Sequence, residues 1–367
     1  MRVYLSPPKM NGEEERRLVA AAFDSGYVAP CGPMVDQLEA LAAERFGFSG
    51  ALATVSGTMA LSLLARALEI GPGDVVVASD LTFIASVGPF ASLGARVVLV
   101  DSSPETWCID PALAERALAA NPGAKALIAT DLYGQSCDVA ALAAVCKRHG
   151  ARLIVDAAES LGATYRGWAT GKGAWAAIYS LNGNKIITSG GGGLLVSDDE
   201  ALLALCRKLA GQSREPVAWY EHVRLGDHGR LGNIPAAIGV GQLRHLDDAL
   251  RDKARVWQAW QARFAGRPWI HPMPTADYGV PNRWLTVVTL DGVSPFVAVE
   301  RLGARGIEAR PLWKPMHLQP VFRGAEAVLS GVDEELFSKG LCLPSGRELA
   351  EEVIDEVMDE LECLRRC

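Results

Sequence analysis

Between residues 51 and 156, short apolar runs alternate with segments of helical spacing. "ALATV" (51–55) precedes "TMALSLLARALEI", "DVVVAS" (74–79) precedes "FIASVGPFASLG", and "ARVVLVD" (95–101) precedes "PALAERALAA". "KALIATD" (125–131) is followed by "DVAALAAVCKRHG" and then by "ARLIVD" (151–156). Strand followed by helix at this rhythm demands crossover connections, which build a mostly parallel sheet covered on both faces. The runs are apolar nearly throughout, as strands buried on both faces must be. An α/β fold follows. An open parallel sheet binds its ligand beyond the carboxyl ends of the strands, so polar residues directly after each run are the first functional candidates.

The chain has 367 residues, and single cores stop growing near ~250–300 residues, so a large and a small unit are expected. The pattern changes after about residue 240, to the amphipathic "GQLRHLDDALRDKARVWQAWQARFAG" and a short-strand and helix region ending in "AEEVIDEVMDELECLRRC". The expected division is 1–240 for the large domain and 241–367 for a connecting helix and a smaller C-terminal α/β domain. A net charge of −7 draws the chain neither to nucleic acid nor to an anionic membrane, so any anionic ligand needs a local site. The eight cysteines include no C-x-x-C pair and no histidine at ligand spacing, which argues against a metal site and for reduced thiols. No export-like start is present, and the apolar stretch 75–100 is broken by Asp80, Gly88, Pro89 and Gly94. The expectation is a cytoplasmic protein without membrane spans.

Three places answer to the strand-end rule. Ser56, Gly57 and Thr58 lie between a run and the helix after it, where free N–H groups and the helix dipole suit a phosphate, or where a hydroxyl simply caps the helix. Asp156 ends the run 151–156 with Glu159 one turn on; such an aspartate also serves as an ordinary cap. Lys185 lies in "YSLNGNKIITSGGGG" (179–193), behind Ser180, among asparagines and glycines with no neighbouring charge. A phosphate cradle, a strand-end carboxylate and an isolated lysine are together what pyridoxal 5′-phosphate requires. The lysine forms a Schiff base with the aldehyde, the carboxylate keeps the pyridine nitrogen protonated, and N–H and hydroxyl groups hold the phosphate. Such a lysine must be neutral part of the time, which a solvated helix face does not favour.

With these residues in view, "SGTMAL", "LTFIA", "VDAAESLGA", "YSLNGNKIITSGGGG", "GNIPAAIGVGQL", "RPLWKPMHLQP" and "GLCLPSG" resemble the marker segments of the DegT/DnrJ/EryC1/StrS aminotransferases, which act on nucleotide-linked keto-sugars. The resemblance runs from roughly residue 5 to residue 365, in order. "GYVAPCGP", "NGNKIITSGGG" and "WKPMHLQPVF" are most similar to the enzymes that aminate UDP-4-keto-6-deoxy-N-acetylglucosamine. The resemblance implies the aspartate-aminotransferase type of fold (fold type I) and a homodimer with shared active sites. It implies L-glutamate as the amino donor and Lys185 as Schiff-base lysine and general acid/base. It further implies Asp156 on the pyridine nitrogen, Glu159 near the ring hydroxyl, Phe83 stacked on the ring, and Gly57, Thr58 and Ser180 on the phosphate.

One segment departs from the family. Relatives commonly read "GYNYRMSN" where this chain has "GDHGRLGN" (226–233), and their asparagine reaches the cofactor phosphate of the neighbouring subunit. Here His228 takes that position. It either donates to the phosphate or is simply exposed on a drifted loop. Arg230 and Asn233 match, and Arg230 is a substrate-binding candidate. "RPLWKPMHLQP" carries Arg310, Lys314 and His317, interrupted by Pro311, Pro315 and Pro320. It is either a Pro-rich crossover with incidental charges or a cationic loop for a diphosphate; the resemblance lays it over the substrate, with Lys314 and His317 as contacts. Glycines 190–193 are no P-loop, since no G-K-[ST] follows, and they suit close backbone approach instead. Trp257 and Trp260 fall at helical spacing and suit packing. A sugar dehydratase on this scaffold is the first rival, but such relatives carry histidine in place of the lysine. A non-catalytic regulator is the second, and it would tolerate loss of the whole constellation.

Overall fold

The computed structural model describes residues 2–366. Its main sheet has eight strands in the order β1-β9-β8-β5-β4-β2-β3-β14. In chain order β1 (Gly50–Thr54), β2 (Val75–Ser79), β3 (Arg96–Val100), β4 (Ala126–Thr130) and β5 (Arg152–Asp156) come first. The short β6 (Thr164–Tyr165) and β7 (Trp168–Ala169) precede β8 (Ala176–Ser180) and β9 (Gly193–Ser197). Neighbours from β14 through β8 run parallel; β9 returns antiparallel between β8 and β1. The carboxyl ends of β1, β2, β4, β5 and β8 therefore share one edge, where β9 begins. The expected mostly parallel sheet is present.

Helices α1 (Glu13–Asp24), α2 (Pro33–Phe46), α3 (Gly57–Ala67), α4 (Gly88–Ser92), α5 (Pro111–Ala120), α6 (Val139–His149), α7 (Glu200–Ala210) and α8 (Asn233–Arg244) cover the sheet. Alternate residues of each strand divide between the layers. Val77, Leu127, Val155 and Ala177 join the core under α1, α2, α5, α6 and α8, whereas Val76, Ile128, Ile154 and Ile178 join the core under α3 and α7. Helix starts are set locally: Asp110, Asp138 and Asp199 each accept from an amide of the first turn that follows.

The expected division after residue 240 falls inside α8, which runs on to Arg244. The 19-residue α9 (Leu246–Phe264) follows, burying Val256, Trp257, Trp260 and Phe264. Its core is shared with β12 (Thr286–Leu290), β15 (Gly340–Leu343), α10 (Pro295–Ala304) and α12 (Glu351–Arg366). A second, antiparallel sheet is formed by β10 (Ile270–Pro272), β12, β15 and β13 (Arg310–Pro311). β11 (Gly279–Val280) pairs with β6, while β14 (Glu326–Val328), followed by α11 (Val332–Lys339), returns to the large sheet beside β3. Among the described residues no helix is long and apolar enough to cross a membrane, and all seven cysteines are free thiols; Cys367 lies outside the described residues.

Candidate active site

A cavity of about 810 Å³ opens at the carboxyl edge of the large sheet. Gly57 and Thr58 from the start of α3, Phe83 after β2, Asp156 and Glu159 after β5, and Ser180 and Lys185 after β8 all line it. Seven residues from Gly57 to Lys185 thus meet in one place, because each ends or follows a strand of the same edge.

The start of α3 is shaped for an anion. Ser56 Oγ accepts from the Met59 amide at 3.0 Å, an ordinary N-cap. The cap leaves the Gly57 and Thr58 amides without acceptors among the described residues, facing the cavity with the positive end of the helix. The N-cap alternative is thus present, and it leaves two amides open to an anion. Glycine is required beside it: a Cβ on Gly193, where β9 begins, would stand 2.5 Å from the Gly57 nitrogen. That close approach accounts for the last glycine of the 190–193 run.

Asp156 is buried behind a row of hydroxyls. Ser86 Oγ donates to its Oδ2 at 2.6 Å and the Ala158 amide to its Oδ1 at 3.0 Å. Thr82 lies 2.6 Å from Ser86 and 2.8 Å from Thr130, completing the cluster. Glu159 accepts from the Tyr133 amide (2.7 Å) and from Trp313 Nε1 (3.2 Å). Burial raises both carboxyl pKa values, that of Glu159 to about 7, with Lys185 opposing the rise in each case. Burial lowers Lys185, against the pull of Glu159 and Asp156. Its Nζ sits 3.8 Å from the centre of the Trp284 ring. Phe83 is 51% exposed, into this space, with its ring 5.3 Å from that of Trp313.

These residues fit pyridoxal phosphate. A buried carboxylate on the cavity lining gains a cationic partner if a pyridinium nitrogen enters. Free helix amides and Ser180 suit a phosphate, and a lysine drawn toward its neutral form suits an aldehyde.

Other expectations are placed differently. His317 is turned into Asp80: its Nδ1 lies 2.5 Å from Asp80 Oδ2 and its amide donates to Oδ1 at 2.8 Å. The Met316 amide donates to the Asp80 carbonyl, so the Pro-rich segment is pinned onto the end of β2. Neither His317 nor Lys314 lines the cavity; Arg310 does, because β13 sets it on the wall beside Glu308, which it pairs with at 2.7 Å. His228 is exposed, and Arg230 bridges to Thr54 through its backbone; neither lines the cavity of its own chain. Asn233 holds the Tyr27–Met34 loop, accepting from the Met34 amide (2.9 Å) and donating to the Tyr27 carbonyl (2.8 Å).

Several functional neighbours escaped the sequence reading: Ser86, Tyr133, Trp284 and, as a cavity residue, Arg310. Two left a signal: Arg310 opens the marked "RPLWKPMHLQP" segment, and Ser86 directly follows the marked "LTFIA" segment after β2.

Residues 9–362 match the model of the DegT/DnrJ/EryC1/StrS aminotransferase family. The putative pyridoxal phosphate-dependent aminotransferase EpsN of Bacillus subtilis (strain 168) is 42% identical over 98% of this chain and 95% of its own. GDP-perosamine synthase of Caulobacter vibrioides is 36% identical over 98% of both. The putative sugar aminotransferase Spr1654 of Streptococcus pneumoniae, solved in its PMP form, superposes with a TM-score of 0.92 over 99% of each chain at 24% identity, which speaks for the fold alone. With the motifs, the sheet topology and the site all agreeing, the chain belongs to the DegT/DnrJ/EryC1/StrS aminotransferases, a family of pyridoxal phosphate-dependent sugar-modifying enzymes.

Proposed function

We propose that this chain moves an amino group from L-glutamate to a nucleotide-linked 4-keto-6-deoxy sugar, UDP-linked in the first instance, as a cytoplasmic homodimer. The observation that carries the reading is the meeting of Lys185, Asp156 and Glu159 in one cavity whose wall is the bare start of α3. When bound, pyridoxal phosphate supplies the carbon that takes up the amino group and a ring that stabilises the carbanion. Lys185 Nζ would accept the α-proton of the donor and hold it in the cavity, a role helped by its lowered pKa. Asp156, fixed by Ser86, offers a carboxylate to the ring nitrogen. Glu159, held by Tyr133 and Trp313, faces the ring hydroxyl. Arg310 meets a diphosphate or the donor carboxylate after leaving Glu308. Both substrates use the same cavity in turn, so ping-pong kinetics follow.

The dimer is supported by a surface rather than by the cavity. Phe23, Tyr27 and Val28 are exposed at the end of α1, and Trp219, Tyr220, Val223 and Leu225 on the loop before His228. Val28 O lies 3.7 Å from the Cβ position of Gly232, so the segment after α1 adjoins the start of α8. Burying these exposed side chains against a second copy would bring His228 and Arg230 toward the partner's site. The name of the Caulobacter relative favours a GDP-linked sugar as the second reading.

The test is the visible spectrum of the purified protein with pyridoxal phosphate, before and after L-glutamate, beside Lys185→Ala. The expected result is a lysine–cofactor band in wild type alone, bleached by glutamate. A wild-type spectrum indifferent to cofactor or donor ends the reading. UDP-, GDP- and TDP-linked keto-sugars offered to the aminated enzyme then separate the nucleotides.

A further inference from the structure

We propose that Trp284 is the positioning residue of Lys185: its indole face holds the lysine amine in the cavity while its Nε1–H fixes the peptide beside the lysine. The role rests on the aminotransferase reading and deepens it. Lys185 Nζ stands 3.8 Å from the indole centroid, well inside the ~6 Å reach of a cation–π contact. From the same ring, Nε1 donates to the carbonyl of Asn184 at 2.6 Å. One side chain therefore grips both ends of the lysine, its amine and its backbone. A lysine on a glycine-rich turn has many rotamers, and fixing both ends removes most of them.

The tryptophan is itself held by polar contacts rather than by packing alone. Its amide donates to Asn282 Oδ1 (2.8 Å), and its carbonyl accepts from Lys253 Nζ (2.9 Å). Asn282 Nδ2 donates to the carbonyls of Glu159 and Leu161, both at 2.9 Å, and the Asn282 amide to Gly134 O at 3.0 Å. The fit around Asn282 is close enough that a Cβ on Gly134 would fall 2.2 Å from its Oδ1. Asn282 thus ties Trp284 to the very turn that carries Glu159, so the ring and that carboxylate are set from one anchor. The charged groups facing Lys185 are Asp156 and Glu159, with Arg310 and Glu308 farther along the same wall. A π-face adds attraction for the ammonium form without adding a charge, and so tempers the effect of burial on the amine.

The experiment replaces Trp284 site-specifically by tryptophans of increasing fluorination, which drains the ring face while keeping volume and N–H. Read in the apoenzyme, the pH dependence of Lys185 reductive methylation, followed by mass spectrometry, gives the amine's pKa. It should fall stepwise by about one pH unit in total, a tenfold change in the neutral fraction at fixed pH. A titration that stays unchanged across the series overturns the proposal. Trp284→Phe, which keeps a face and loses the N–H, should retain most of the titration yet bind pyridoxal phosphate more weakly; equal cofactor binding would overturn the second half. The apoenzyme readout needs no cofactor, so a failed titration leaves the aminotransferase reading intact. A protein that titrates as expected yet takes up no pyridoxal phosphate sinks that reading instead.

Discussion

Two lysines meet the same tryptophan from opposite ends, and only one of them is equipped to react. Lys253 on α9 is 2% exposed and donates to Ser6 Oγ (3.1 Å), Trp284 O (2.9 Å) and Ser345 O (2.5 Å). All three ammonium hydrogens are used, and with them α9 bolts the N-terminal segment and the loop after β15 to the segment before β12 that carries Trp284. Lys185 has no hydrogen-bond acceptor among the described residues. It has a ring face, two carboxylates and an open cavity of about 810 Å³. Burial draws both pKa values down, that of Lys253 to about 7 with help from Arg347. A lowered pKa therefore does not distinguish catalyst from bolt. What distinguishes them is whether the amine's hydrogens are already spoken for and whether there is room for a reactant beside it.

The sharpest way to break this contrast is Lys185→Ala. Turnover should fall by at least about 10²–10⁴-fold, the range carried by proton transfer alone, while apoenzyme stability stays within about 1 kcal/mol of wild type. A large loss of stability would mean that Lys185 too is a structural residue. Asp156→Asn should have the next effect. It keeps the shape that Ser86 and the Ala158 amide hold but removes the negative charge, at a cost of about 1.5–3 kcal/mol for a charge-assisted hydrogen bond, or roughly 10–100-fold in turnover. Steady-state rates with a saturating donor check it. An unaffected rate would separate Asp156 from the cofactor ring.

The difference between the two lysines also marks how far the sequence could be read. The large sheet was legible because strands buried on both faces are continuous apolar runs, and the strand-end rule then led to Ser56–Thr58, Asp156 and Lys185. Lys185 stood out by lacking charged neighbours. Lys253 did not, since "LDDALRDKARVWQ" reads as an ordinary charged helix face and its burial comes from elements before and after it in the chain. Trp284 and Tyr133 were invisible for a related reason. Their contacts are tertiary, from a strand start and loops with no period, and nothing local marks an indole that will meet an amine. The cationic segment was left open between a Pro-rich crossover and a substrate loop, and tertiary contacts decide its placement: Asp80 captures His317, and of its three cations only Arg310 lines the cavity. The return of β14 to β3 is likewise a long-range pairing that chain order conceals.

Lys253→Met should mark turnover least, a few-fold at most, and stability most visibly. It strands three buried acceptors, each costing about 1–3 kcal/mol if water cannot reach it. It also makes a prediction about pH. In the unfolded chain a lysine titrates near ~10.4, whereas Lys253 in the fold is drawn to about 7. Between those values the unfolded chain binds a proton that the folded one lacks, so this group's stabilising contribution is complete above the higher value. It is lost as pH falls toward the lower and is flat beneath it. Wild-type stability, measured by urea unfolding of the apoenzyme at pH 7, 8 and 9, should therefore rise relative to Lys253→Met by at most about 1.4 kcal/mol per pH unit. The three acceptors favour the ammonium and work to shrink that slope. Parallel curves for the two proteins would mean that they win outright and that Lys253 stays charged, a buried cation stabilised wholly by oxygen dipoles. In that case the two lysines would differ by the kind of partner that holds the proton: oxygen dipoles around Lys253, and two carboxylates with the ring face of Trp284 around Lys185.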